Sequence, residues 1–105
     1  MAERVTLTNA DNGRIVSART GDDIEVTLTG HREHGLNYTW SIPASDSTVL
    51  HRTKGGTTPR GDATARFRAE KAGSATLNAQ RHCRPDRGKL CPLVVVPWKV
   101  RVEVK

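Results

Sequence analysis

The sequence predicts an all-β protein, a sandwich of seven or eight short, mostly antiparallel strands, on three observations. Apolar and polar residues alternate with a period of two in five segments, as they do where one face of a sheet is buried. Turn signals built from Gly, Pro, Asn and Asp recur at short, even spacing between those segments. No stretch carries the i, i+3, i+4, i+7 apolar spacing of an amphipathic helix. The combination indicates a sandwich of immunoglobulin type, and 105 residues suit a single domain spanning 1–105.

Arg4-Val5-Thr6-Leu7-Thr8 alternates and stops at the turn-forming Asn9-Ala10-Asp11-Asn12-Gly13. Arg14 to Ala18 gives a second extended piece, and Thr20-Gly21-Asp22 turns the chain into a strand carrying Ile24, Val26 and Leu28. Gly30-His31-Arg32-Glu33-His34-Gly35 has no apolar residue and is expected to project into solvent as a loop. Tyr38, Trp40 and Ile42 then alternate with Thr39 and Ser41, and Trp40 is the expected pin of the core because an aromatic there buries more area than any aliphatic. Pro43 to Ser47 breaks that strand, Thr48 to Arg52 makes a short one, and Lys54-Gly55-Gly56-Thr57-Thr58-Pro59-Arg60-Gly61 reads as a loop from its glycine and proline content. Ala63, Ala65, Phe67 and Ala69 mark the next strand, and Lys71-Ala72-Gly73 the next turn. Ala75, Leu77 and Ala79 mark a strand running into the cysteine-bearing loop, and Val100, Val102 and Val104 mark the last. The expected core includes Trp40, Leu28, Val26, Phe67, Leu77 and Val102.

A net charge of +6 and a pI near 10 favour solubility and acidic partners. The cations are scattered, however, with neither a compact Lys/Arg run nor repeated aromatics, so nucleic acid is not an expected partner. The longest apolar run, Leu93 to Val96, ends at Pro97, far short of the roughly 18 residues of a membrane helix. Met1-Ala2-Glu3-Arg4 leads directly into an alternating strand without a signal peptide, as would a mature domain excised from a longer chain.

Cys83 and Cys91 flank Arg84-Pro85-Asp86-Arg87-Gly88-Lys89-Leu90, a turn able to bring two sulfurs together. A disulfide is the favoured reading, and it implies a secreted, periplasmic or cell-surface protein. Two free thiols in a cytosolic protein are the alternative. The cysteines lack the spacing of a zinc site, and His31 and His34, which could bind metal on an exposed loop, lack a carboxylate or cysteine cluster and read as solvated side chains; no metal site and no cofactor are expected. G-x-S-x-G, H-E-x-x-H and phosphate-loop motifs are absent, and a Cys83 nucleophile beside His82 or His51 would lack an orienting group, so the chain is not expected to be an enzyme. Arg60-Gly61-Asp62 spells an integrin-recognition tripeptide, a match that short sequences produce by chance.

Asp11-Asn12-Gly13, Gly21-Asp22, Trp40, Phe67-Arg68-Ala69 and Lys71-Ala72-Gly73, in this order across nearly the whole chain, resemble the scaffold of the chagasin family of cysteine-peptidase inhibitors. That resemblance implies a small immunoglobulin-like domain in which three loops at one end fill the cleft of a papain-like protease without reacting. The first corresponds to Gly30-His31-Arg32-Glu33-His34-Gly35-Leu36-Asn37-Tyr38-Thr39-Trp40, which keeps the glycine, tyrosine and tryptophan of the family pattern but not its proline and paired threonines. The second corresponds to Lys54-Gly55-Gly56-Thr57, and the third to Arg84-Pro85 followed by Asp86 and a segment closed by the cysteines. Protease-binding residues implied by the resemblance are His31, Arg32, Glu33, His34, Gly35, Tyr38, Gly55, Gly56, Arg84 and Pro85, on a monomeric inhibitor. A non-inhibitory interaction or spacer module of a secreted or surface protein is the other reading of the same scaffold.

Overall fold

The computed structural model describes residues 3–105, so Met1 and Ala2, the start of the expected domain, lie outside the described residues. Ten strands form two sheets: β1 (Arg4–Thr8), β2 (Ile15–Ala18), β3 (Asp23–Leu28), β4 (His31–Glu33), β5 (Leu36–Trp40), β6 (Ala44–Ser45), β7 (Leu50–Thr57), β8 (Ala63–Ala69), β9 (Gly73–Pro85) and β10 (Val96–Val104). One 3-10 turn, Asn9–Asp11, follows β1. The strand count exceeds the expected seven or eight because two pieces too short to show alternation, β4 and β6, also pair.

One sheet runs β1-β3-β8-β7; the other runs β2-β10-β9-β5-β4, with β6 on the edge of β9 beside β5. The pairs β1·β3 and β2·β10 are parallel, and the remaining pairings are antiparallel. Alternation becomes burial as expected: Ile24, Val26 and Leu28 on β3 face Ala63, Ala65 and Phe67 on β8 within one buried layer. Ala75, Leu77, Ala79, Val100, Val102 and Val104 supply the opposing layer, and the sandwich is immunoglobulin-like.

The core has two tryptophans, Trp40 on β5 and Trp98 on β10, on the two strands that flank β9. Trp98, 1% exposed, lies opposite Ala79 on β9, where the small partner leaves room for the indole. Its Nε1 donates to the Thr8 carbonyl at 3.0 Å, tying the second sheet to the end of β1. Trp40 is buried as expected, and its Nε1 donates to the Thr29 carbonyl at 3.1 Å. Trp98 had a legible signal, since Val96, Trp98, Val100, Val102 and Val104 keep one period of two. Pro97 obscured it, yet Pro97 is the second residue of β10, where the strand is still an edge because β2 joins it only from Arg101, and an edge tolerates proline.

The stretch Lys54 to Gly61, expected to be a loop, is corrected by the structure: β7 continues through Thr57, and only Thr58 to Asp62 connects it to β8. Lys54, Gly55, Gly56 and Thr57 pair with Arg66, Ala65, Thr64 and Ala63 after a bulge at Thr53. Glycine disfavours a strand locally, but a long neighbour such as β8 supplies the ladder that overrides it.

Candidate functional site

Beyond the sandwich the chain builds a three-stranded finger. The four-stranded sheet ends at Thr8, Leu28, Thr57 and Ala63, and β10 begins only at Val96, opposite Arg81. β4, β5 and the last part of β9 continue past that level, with His31 opposite Tyr38 opposite Cys83, Arg32 opposite Asn37 opposite Arg84, and Glu33 opposite Leu36 opposite Pro85. The extents of the molecule, 51 × 21 × 20 Å, record this projection. Its radius of gyration of 14.9 Å exceeds the value of about 13 Å for a compact domain of this length.

The expected loop from Gly30 to Gly35 is therefore a β-hairpin, a second correction. His34 at φ 52° and Gly35 at φ 76° form a two-residue turn with both central residues left-handed, the conformation that matches strand twist in a tight hairpin. Histidine tolerates that region better than branched residues do. The hairpin is solvent-facing as expected, with His31, Arg32, Glu33 and His34 all exposed.

The two faces of the finger follow from strand parity. The face that is core lower down, through Ala75, Leu77 and Ala79, loses its covering sheet and changes chemistry to Arg81 and Cys83. There the His31 ring stacks on Tyr38 at 4.5 Å between centroids, and the Arg81 guanidinium lies 4.6 Å from the Tyr38 centroid. This cross-strand stack half-buries the lone tyrosine and stiffens the three strands together. The opposite face carries Arg32, Asn37 and Arg84.

Cys83 and Cys91 form a disulfide, with 5.9 Å between Cα atoms, and close the segment after β9. Asp86 fastens that segment to the hairpin: its carboxylate accepts from Asn37 Nδ2 at 3.0 Å and is ion-paired with Arg32, while its backbone N–H donates to the Gly35 carbonyl at 2.8 Å. The Asn37 hydrogen bond foremost, with the Arg32 charge adding to it, holds the Asp86 carboxyl below its ordinary value.

At the base of the finger Gly30 and Gly61 let two backbones touch. A Cβ on Gly30 would lie 2.6 Å from the Tyr38 carbonyl oxygen, and one on Gly61 2.7 Å from Thr39 Cγ2. Gly61 is buried at φ 88°, and its carbonyl accepts from the Trp40 N–H at 2.9 Å, taking over from β4 as the partner of β5. The Asp62 carboxylate accepts from the Gly30 N–H at 2.8 Å. Arg60-Gly61-Asp62 is thus a structural joint rather than a displayed tripeptide.

Of the residues singled out in the sequence, His31, Arg32, Glu33, His34, Gly35, Tyr38, Arg84 and Pro85 converge on the finger, the last two as strand residues of β9. Gly55 and Gly56 do not join them. Both lie in β7 against β8, with the Ile42 side chain over Gly55, and the connection that reaches the finger is Thr58 to Asp62. Sequence reasoning also passed over an aliphatic flank. Leu90 (91% exposed), Leu93 (104%), Val94 (65%) and Val95 (51%) lie in the segment that runs from the disulfide to β10, whose pairing with β9 begins only at Arg81. Their signal was the run Leu93 to Val96, too long an apolar series for an ordinary surface turn.

No protein-family model and no curated protein matches the chain. Among solved structures, the cysteine protease inhibitor EhICP2 from Entamoeba histolytica aligns with a TM-score of 0.68 at 16% identity, over 99% of this chain and 97% of its own. The fold is chagasin-like. Amebosin aligns with a TM-score of 0.57 at 14% identity, over 100% of this chain and 99% of its own. An inclusion body protein, PixA, from Burkholderia cenocepacia aligns with a TM-score of 0.55 at 13% identity, over 88% of this chain but 59% of its own.

Proposed function

We propose that the protein is a reversible inhibitor of papain-like cysteine proteases that blocks the active-site cleft with its finger and the connections at its base. The observation that carries this reading is the rigid finger itself, set at one end of a scaffold shared with a cysteine protease inhibitor over nearly its full length. A wedge inhibitor must fill a groove while offering no bond in the extended, unpaired form that a protease cleaves. His31 to Glu33 and Leu36 to Tyr38 are tied into the hairpin ladder, and the disulfide and Asp86 hold the adjacent segment, so little conformational entropy is lost on docking. In this reading His31, Arg32, Glu33, His34, Gly35 and Tyr38 enter the cleft, and Arg84 and Pro85 grip one side. Pro59 and Arg60, rather than Gly55 and Gly56, contribute on the other. The partner is a protease, binding is non-covalent, the chain acts as one domain, and the disulfide suits action in an oxidising compartment outside the cytosol.

The withdrawal of Gly55 and Gly56 into β7 favours a second reading, a non-inhibitory immunoglobulin-like interaction module presenting the same finger. Titration of active papain-like proteases with the protein separates the two. The expected result is stoichiometric, reversible loss of peptidase activity for at least one enzyme of the panel. Combined replacement Arg32→Gly, Glu33→Ser and His34→Gly should weaken inhibition by roughly 1 to 3 kcal/mol while the fold persists. No inhibition of any panel enzyme by the wild-type protein would leave the interaction module as the reading.

A further inference from the structure

On the face of the finger opposite the Tyr38 stack, a groove of about 500 Å³ is lined by Gly30, Arg32, Asn37, Thr39, Arg60 and Arg84 together with His31 and Pro59. Three separate parts of the chain each bring an arginine to it: β4 supplies Arg32, the β7–β8 connection Arg60 and β9 Arg84. Arg32 is already paired with Asp86, and Arg60 and Arg84 have no ion-pair partner among the described residues. Both of the latter are exposed. The other carboxylate near the groove, Asp62, is engaged by the Gly30 N–H. Two unpaired, exposed guanidinium side chains lining one concave surface give it a positive potential that attracts anions.

We infer that this groove binds a carboxylate-rich peptide segment of a partner protein, with Arg60 and Arg84 clamping its acidic side chains. The guanidinium fork matches a carboxylate in bidentate geometry, and Arg32, already engaged by Asp86, leaves Arg60 and Arg84 as the groove's unpaired cations. Nucleic acid presents anions too, but its recognition also calls for aromatic faces on which bases stack. The groove has no Phe, Tyr or Trp: Tyr38 lies on the other face of the finger, already covered by His31 and Arg81, and the His31 ring is itself taken up in that stack. This assignment stands apart from protease inhibition, since an interaction module would use the same groove.

Fluorescence anisotropy with a labelled hexaglutamate peptide tests it, with hexaglutamine and a single-stranded oligonucleotide of equal charge as comparison probes. The hexaglutamate peptide should bind and hexaglutamine should not. The pair Arg60→Glu and Arg84→Glu should weaken binding by about tenfold or more. The pair Arg68→Glu and Lys71→Glu makes the same change in net charge at the opposite end of the sandwich and should leave binding within about twofold. If Arg84→Glu disturbs β9, Arg60→Gln alone, in an exposed connection, should still weaken the peptide severalfold. Equal losses from the two charge-reversal pairs, or tighter binding of the oligonucleotide than of hexaglutamate, would overturn the assignment. Because the assay contains no protease, a negative inhibition panel leaves its outcome untouched.

Discussion

Trp98 and Asp22 show how single residues tie distant parts of this chain together. Trp98 fills the space left by Ala79 and reaches across the sandwich to the Thr8 carbonyl, so truncation both opens a cavity and removes the hydrogen bond that ties β10 to the end of β1. Trp98→Ala should cost about 3 to 5 kcal/mol in urea unfolding, at least as much as Trp40→Ala, whose indole is 7% exposed at the mouth of the core. A smaller loss at Trp98 than at Trp40 would contradict the placement of the core. Asp22 is a buried acid with a different task. Its carboxylate accepts from the Glu3 N–H at 3.0 Å and the Arg19 N–H at 2.8 Å, gathering the chain before β1 and the turn before β3. These two backbone donors, Glu3 first, hold its pKa below the ordinary value of 3.8. A depressed folded pKa contributes stability that is fully present above the unfolded value and is lost as pH falls through the folded one. Thermal midpoints should therefore decline below about pH 4, and Asp22→Asn should have a lower midpoint at neutral pH with a shallower acid decline. An acid limb of unchanged slope in the variant would remove Asp22 from that role.

At the level of elements, the finger depends on neighbours that are remote in sequence. β4 has three residues, none of them apolar, and cannot bury anything; it exists because His34 and Gly35 fold it back on β5, and β5 in turn rests on the end of β9. The disulfide closes a short span, a separation of 8 residues, and in the chain-entropy model contributes about 2.5 kcal/mol. Reduction should act locally. Hydrogen exchange of residues 84–95 should rise on reduction while amides of β3, β8 and β10 within the sandwich stay protected. A global rise in exchange would mean that the bridge supports the fold and not the finger. The spacing of the two cysteines across a Pro/Gly turn already indicated the pairing. It did not indicate that Arg84 and Pro85 are strand residues, because their partners, Asn37 and Leu36, lie more than forty positions away in the chain.

As a whole molecule the protein is long and narrow, with all of its proposed binding chemistry at one end. Two of its sheet edges, β4 and β7, are poor templates for association. β4 is the charged triplet His31-Arg32-Glu33, and the edge strand β7 carries His51, Arg52 and Lys54 with a bulge at Thr53. Light scattering coupled to size exclusion should accordingly report a monomer, and small-angle scattering a radius of gyration near 15 Å, above the value of about 13 Å for a compact domain of this length. A dimer in solution would point to the aliphatic flank of Leu90, Leu93, Val94 and Val95 as the surface that pairs.

What the sequence by itself determined is everything governed by local periodicity and local turn chemistry. The faces of β3, β8 and β9, the burial of Trp40, Phe67 and Leu77, the glycine turns and the joining of Cys83 to Cys91 all follow from residues within a few positions of one another. Tertiary structure alone decided the rest. Gly55 and Gly56 became strand because β8 lies beside them, and Arg81 and Tyr38 became a stack because the four-stranded sheet stops short of them. Arg32, Arg60 and Arg84 became one groove because Gly30 and Gly61 let two backbones meet. Long-range pairing sets these outcomes, and a ladder or a covering sheet supplied from far along the chain outweighs the weak preferences of the residues it meets.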